Sequence, residues 1–224
     1  MRNDCDICVI GSGAIGKTSA LALAREGYRV TLLSPEGESV LHVSGNDTPW
    51  DLRVYALNPV THRLLSSLKV WDAMDASRIA AVDAMAVHGD DTTPGQLGFD
   101  AYGARVDALA WIVEDGNLNQ ALDNALRFAD GVTQLKGRAV AFSRDAKRAE
   151  VTLDNGHTVS ALLVLGADGA NSWVRGQADI NIDYRSYNQN AVVANFECEQ
   201  PHHGTASQWF LGTDGIVALL PLPG

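Results

Sequence analysis

The chain has 224 residues, 46% of them hydrophobic and 20% charged, with a formal net charge of −10 at pH 7. That is enough for one sizeable core or two small domains, in the composition range of a soluble globular fold. The acidic balance argues against a nucleic-acid partner, which needs clustered Lys and Arg against phosphates, and no apolar run approaches the roughly 20 residues of a membrane-spanning helix. Contact with a membrane through a small apolar patch stays compatible with this composition. No basic-then-apolar leader opens the chain, so no secretory signal is expected. The three cysteines, Cys5, Cys8 and Cys198, do not make a disulfide framework and point to a reducing compartment.

In chain order, residues 6–10 read as a short apolar strand and Gly11-Ser12-Gly13-Ala14-Ile15-Gly16 as a tight turn. Residues 17–26 read as a helix, because Ala20, Leu21, Ala22, Leu23 and Ala24 are good helix formers. The alanines are also small enough to lie close to a sheet. Gly27 suits the position just past the helix end. Residues 28–33 read as a second strand, closed by Ser34 and Pro35. Two short strands around one helix predict a parallel βαβ unit. Cys5 and Cys8 lie in the first strand, where residues three apart face opposite sides. With no second pair to complete a zinc site, that spacing disfavours a redox or metal role.

Further on, residues 79–88 and 98–102 read as strands around a turn-rich stretch, 90–95. Residues 117–129 read as a helix, with Leu118, Leu122, Leu126 and Ala129 at three- and four-residue spacing. Residues 132–165 read as several short strands, and Asp154-Asn155-Gly156 is a hairpin signal between two of them. The apolar stretch 161–165 runs into Gly166-Ala167-Asp168-Gly169, after which Asn171 or Ser172 would cap a short helix. Residues 191–220 read as strands, with His202-His203-Gly204 as a polar turn rather than a metal site. The strand-rich patches at 79–102 and from 183 onward interrupt the α/β pattern and predict one inserted second domain made from two pieces.

The glycine turn supports two readings. Gly11, Gly13 and Gly16 form G-x-G-x-x-G between a strand and a helix, the context in which that motif binds a dinucleotide. Gly11 then allows the tight turn, Gly13 lets a pyrophosphate approach the backbone, and Gly16 lets helix and strand pack. The N–H groups and helix dipole hold the phosphates, with Ala14 and Ile15 in the same turn. The same stretch, Gly11 to Gly16 followed by Lys17 and Thr18, also satisfies the P-loop pattern of an ATPase or GTPase. That reading needs an Asp closing an apolar strand; Asp168 serves only with two residues intervening. On the dinucleotide reading Lys17 is an exposed first-turn residue. The acid that normally meets the ribose at the end of the second strand is here Ser34, with Glu36 two residues further as a substitute.

Five stretches together resemble the flavin hydroxylases of ubiquinone biosynthesis, within the para-hydroxybenzoate hydroxylase-like flavoprotein monooxygenases. They are residues 7–16; Asp51-Leu-Arg53-Val-Tyr55-Ala-Leu57; Trp111-Ile-Val-Glu114; Gly166-Ala-Asp168-Gly169-Ala-Asn171-Ser172-Trp-Val-Arg175; and Ala206-Ser-Gln208-Trp209-Phe210 with Leu219-Leu-Pro221-Leu. The resemblance implies an α/β fold: a Rossmann-like FAD-binding domain, parallel sheet plus β-meander, over 1–75 and 106–178. Part of an inserted, mainly antiparallel β substrate domain would occupy 76–105 and 179–224. It implies FAD contacts from Asp168 and Gly169, from Arg53 near the pyrophosphate, from Glu114, and from the backbone at Val140 near the adenine. Without a cofactor, Asp168 would be a helix cap, and Arg53 would pair with Asp51 or sit at a helix end.

The activity implied is FAD- and NAD(P)H-dependent hydroxylation of a polyprenyl-phenol, a lipophilic substrate, with O2. The flavin carries the chemistry while the protein holds it, excludes water and orients the ring. The implied location is cytoplasmic, with peripheral contact to the inner membrane or membership of a ubiquinone-biosynthesis complex as possibilities. Members of this family continue with a second Gly-Asp motif and a Gly-rich helix start, neither of which is found in these 224 residues. The expectation is a truncated chain that alone binds FAD weakly or not at all and does not hydroxylate.

Overall fold

The computed structural model describes residues 2–35, 49–89, 95–212 and 215–223, which fall into two compact units. The first comprises Met1–His42, Leu68–Ala73 and Asn119–Asn190; the second comprises Val43–Ser67, Met74–Leu118 and Ala191–Gly224.

The first unit is built on strand β1 (Arg2–Ile10), helix α1 (Ala14–Arg25) and strand β2 (Val30–Ser34). Ile7, Cys8, Val9 and Ile10 are buried, as are Val30 to Leu33. Strands apolar on both faces belong inside a parallel sheet. β1 pairs β2 in parallel, with Ile7 opposite Val30 and Ile10 opposite Leu33. Numbered in full, the second unit supplies β3 (Val54–Leu57), helix α2 (Pro59–Ser67), β4 (Ile79–Val82), β5 (Ala84–His88), β6 (Gln96–Asp100), the helical turn α3 (Ala101–Ala104) and β7 (Ala110–Glu114). Helix α4 (Asp115–Arg127) follows β7 and carries the chain back to the first unit. There β8 (Val132–Lys136), β9 (Ala139–Arg144), β10 (Ala149–Leu153), β11 (Thr158–Gly166) and helix α5 (Trp173–Gln177) complete a six-stranded sheet and its cover. The sheet order is β8-β2-β1-β11-β10-β9. The first four strands are mutually parallel, and β9, β10 and β11 form an antiparallel meander whose β10–β11 turn contains Gly156, where the hairpin signal lay. Its core gathers Cys5, Cys8, Ile10, Leu33, Val151, Leu153, Val159, Ala161 and Val174; each fully buried aliphatic of this size contributes on the order of 1.5–3 kcal/mol.

The second unit holds two sheets, β3-β7-β4 and β13-β12-β5-β6, the latter completed by β12 (Thr205–Phe210) and β13 (Ile216–Leu219). β5 and β12, far apart in sequence, run side by side in parallel.

Three local expectations are corrected. The run 79–88 is two strands, not one. Asp83 breaks it, donating its N–H to the Gly204 carbonyl at 2.8 Å and accepting from the Ala101 N–H at 2.8 Å. β4 therefore joins β7 while β5 joins β6 and β12. The strand expected at 98–102 ends at Asp100, whose carboxylate accepts the Gly103 N–H at 2.6 Å and so caps a helical turn instead. Of the strands expected over 191–220, residues 191–204 form none. Val192, Val193 and Phe196 there are exposed, and β propensity is realised only where a partner strand takes up the backbone groups. The turn expected at 90–95 lies mostly outside the described residues.

Among the described residues no helix is long and apolar enough to cross a membrane. Cys5 and Cys8 are both buried in β1. Burial pushes both thiols up from their ordinary value, which makes them inert packing groups; no metal-holding cluster is found among the described residues.

Candidate dinucleotide site

In chain order the parallel strands of the first unit lie third, second, first, fourth (β8, β2, β1, β11). The direction of winding reverses between β1 and β11, the switch point where open α/β sheets bind ligands outside the carboxyl ends of their strands. The two turns that leave those strands meet there. The Ala167 N–H donates to the Ile10 carbonyl at 2.7 Å, and the glycine turn sits directly against Ala167.

The three glycines of that turn differ in what surrounds them. Gly11 has φ +116, and a Cβ there would overlap the Ala167 carbonyl and come 2.8 Å from the Asp168 nitrogen. A Cβ on Gly16 would overlap the Gly11 carbonyl and stand 3.4 Å from the Ala167 Cβ. Gly13 is the opposite case: nothing lies within 4 Å of its Cβ position. Two glycines are needed for the turn to close on its neighbour, and the third leaves an open approach to backbone. Gly13 is also the N-cap of α1, with no side-chain cap, and the first turn carries no acidic residue. The N–H groups of Ala14, Ile15 and Gly16 thus meet no carboxylate from their own turn, which suits an incoming anion. The Ile15 side chain is exposed. These features fit the diphosphate bridge of FAD.

Ser34 ends β2 beside Lys136 of β8, and its carbonyl accepts the Gly137 N–H at 2.9 Å. Val140 is half exposed in β9. Glu36 lies outside the described residues. Asp168 and Gly169 follow β11, with Gly169 at φ +85 and open space at its Cβ position. The Asp168 carboxylate accepts from the Ser172 hydroxyl at 2.5 Å and from the Val174 N–H at 3.1 Å. Burial works to raise its pKa, but the hydrogen bonds from Ser172, Val174 and Trp173 outweigh it and hold the group below the usual carboxylate range. Asp168 thus fastens the turn to α5, while Ser172 is the N-cap, accepting the Arg175 N–H at 3.0 Å.

Arg53 and Glu114 belong to the second unit. Arg53 is exposed, its guanidinium 5.5 Å above the Tyr55 ring. The surface pair with Asp51 does not form, because Asp51 accepts the Gly116 N–H at 2.7 Å instead. Glu114 is fully buried and paired with Arg78.

The structure corrects the expected exposure of Lys17. The side chain is buried, with Nζ 2.7 Å from Asp123 Oδ1 and 3.2 Å from Asn119 Oδ1 on α4. An ammonium tied to α4 in this way is a helix-to-helix tether, not a phosphate ligand over the turn. The partners, 102 and more residues away, left no local signal in the sequence. Ala167 lies in the quoted Gly166-Ala167-Asp168-Gly169 stretch, but its contact with the glycine turn left no signal, since it acts through its backbone.

Residues 4–222 match the family described as FAD binding domain. The chain is 34% identical over 220 residues to the ubiquinone hydroxylase UbiL of Rhodospirillum rubrum, covering 98% of this chain and 49% of that protein. It is 34% identical over 218 residues to the 3-demethoxyubiquinol 3-hydroxylase of Escherichia coli, covering 97% and 54%. The chain thus spans about half the length of these curated relatives. Among solved structures it is similar to PqsL, a probable FAD-dependent monooxygenase from Pseudomonas aeruginosa, at a TM-score of 0.63 and 22% identity over 83% of this chain and 48% of that one, a likeness of fold. Nothing in these comparisons supports a P-loop nucleotidase. The open Gly13, the switch-point turn and the family match over nearly the whole chain converge: this chain belongs to the FAD binding domain family and is related to the flavin hydroxylases of ubiquinone biosynthesis.

Proposed function

We propose that the protein to which this sequence belongs is an FAD- and NAD(P)H-dependent monooxygenase that hydroxylates the ring of a polyprenyl-phenol, and that this chain provides its nucleotide-gripping part. The observation that carries the reading is the contrast among the glycines: Gly11 and Gly16 are closed onto neighbouring backbone, while Gly13 opens onto space at the switch point. In this reading the N–H groups of Gly13, Ala14, Ile15 and Gly16 bind the diphosphate. Ser34 and Glu36 serve the ribose, and the Val140 backbone lies by the adenine. Asp168 orders the turn so that its own and the Gly169 backbone face the flavin's ribityl chain, and Arg53 contributes positive charge, with Glu114 assigned to the same cofactor set by resemblance. When bound, FAD reduced by NAD(P)H supplies oxygen activation and hydroxyl transfer. The four-stranded sheet, assembled from the two stretches assigned by resemblance to a substrate domain, is proposed to carry the ring and its lipophilic tail. A substrate of that kind favours access from a membrane surface or a biosynthetic complex.

The test is a titration of the chain with FAD, followed by flavin fluorescence, with ADP as competitor and ATP with Mg²⁺ as control. The expected result is FAD binding, however weak, displaced by ADP, with no phosphate released from ATP. Magnesium-dependent ATP hydrolysis that Lys17→Ala abolishes would replace the reading with a P-loop one.

A further inference from the structure

Glu114, the last residue of β7, is 2% exposed. The Arg78 guanidinium grips it twice, Nε to Oε2 at 2.6 Å and Nη2 to Oε1 at 2.9 Å. The same guanidinium donates to the Pro49 carbonyl at 3.2 Å and lies 4.2 Å from the centre of the Trp50 ring. Glu114 Oε1 also accepts the Asp51 N–H at 2.5 Å. The Asp51 carboxylate takes the Gly116 N–H, and the Asp115 N–H donates to the Arg53 carbonyl at 3.0 Å. Finally the Tyr55 hydroxyl donates to Asp115 Oδ1 at 2.5 Å. The segment from Pro49 to Tyr55 is therefore bound at every second residue to Arg78, to the end of β7 or to the start of α4, and the cation it displays outward is Arg53, over the Tyr55 ring.

A buried charge pair is a costly way to fasten a loop, since an apolar pair of similar size holds as well without desolvating two ions. What the pair adds is direction. The guanidinium fork fixes the carboxylate plane, and the carboxylate fixes the Asp51 amide. We propose that the Arg78–Glu114 pair is a positioning device for Arg53, holding its guanidinium exposed over Tyr55 to receive an anionic group. On the reading above, on which this deepening rests, that group is a phosphate of the dinucleotide, and Glu114 acts through Arg53 without touching the cofactor. Burial and the Asp115 carboxylate push the Tyr55 phenol up to about 12, so the ring keeps its proton, and with it the bond to Asp115, at neutral pH.

The test uses the whole ¹⁵N-labelled chain. The Arg53 Nε–H resonance, assigned with Arg53→Lys, should be displaced by the Tyr55 ring current in the native protein, because the guanidinium lies 5.5 Å from the ring centre. Two variants are compared: Glu114→Gln, and Arg78→Met combined with Glu114→Leu, which removes the pair as a unit and leaves no buried charge. Both should return the Arg53 resonance to the position of a solvated arginine while the rest of the spectrum keeps its dispersion; if Glu114→Gln does not fold, the paired variant decides. FAD affinity should fall about tenfold in the paired variant and in Arg53→Ala alone, with no further loss when the two are combined. An unmoved Arg53 resonance, or FAD losses that add independently, overturns the proposal. FAD uptake that Arg53→Ala leaves unchanged, while the Arg53 resonance still follows the variants, defeats the dinucleotide role of Arg53 and supports the positioning role.

Discussion

At the scale of single residues, glycines that look alike in the sequence do different work. Gly11 and Gly16 are excluded from bearing a side chain by backbone: the Ala167 carbonyl for one and the Gly11 carbonyl for the other. Gly16→Ala should therefore cost about 3 kcal/mol of stability by overpacking a rigid contact, read as a lower melting temperature with or without ligand. Gly13→Val should change stability by less than about 1 kcal/mol, as for a substitution that meets nothing, yet remove FAD binding by filling the approach to the diphosphate. Equal melting losses at both positions would dismiss the distinction. Lys17→Met, keeping the stem but not the charge, should cost about 1–3 kcal/mol, the range for a charged hydrogen bond lost from a mostly buried site. FAD affinity should stay within the change that this loss of stability explains. A Lys17 variant that melts normally but loses nucleotide affinity would return the residue to the phosphates. The glycine pattern was legible because its geometry is local to six residues. The roles of Lys17 and Glu114 were not, because each is set by a partner beyond the local turn or strand, at Asp123 and Arg78; charged residues give no periodic signal of whom they will meet.

At the scale of elements, the parallel core was readable because its strands are short continuous apolar runs and its connections carry strong turn chemistry. The hairpin at Gly156 is one such case and the Ser172 cap another. The break at Asp83 was not readable, because the apolar run continues through it and only the pairing of β4 and β5 with different sheets reveals the switch. The β11–α5 connection yields a pH prediction. The folded-state pKa of Asp168 is depressed, so its hydrogen bonds to Ser172 and Val174 contribute stability that is complete above the unfolded value of about 3.9 and fades as pH falls through the folded value. Acid titration of the melting temperature should thus show a loss below about pH 4 that Asp168→Asn makes shallower. An unchanged slope would mean that the Asp168 carboxylate does not carry the turn. Ser172→Ala should lower stability by about 1 kcal/mol at any pH, as for other lost caps.

At the scale of the whole molecule, the distribution of apolar surface is uneven. Val9, Leu33, Ile112, Leu122 and Val151 are fully buried, whereas Ile180, Ile182, Tyr184, Tyr187, Val192 and Phe196 lie exposed along one stretch without regular structure. Described hydrogen bonds in that stretch are few, chiefly Ser186 with Asn188 and the Asn195 amide to the Trp50 and Asp51 carbonyls. Backbone with so few ties opens at little free-energy cost, and local opening is what a protease reads. Chymotrypsin at low ratio should cut first at Tyr184, Tyr187 and Phe196. Phe142, partly buried against the core of the six-stranded sheet, should survive until that sheet unfolds. A covering partner for this stretch, such as a strand that took up its alternating apolar residues, would slow those first cuts without changing the cleavage of the sheet. Early cleavage inside β9 or β10, ahead of Tyr184, would mean that the free-energy differences run the other way and that the six-stranded sheet is not the stable part of the chain.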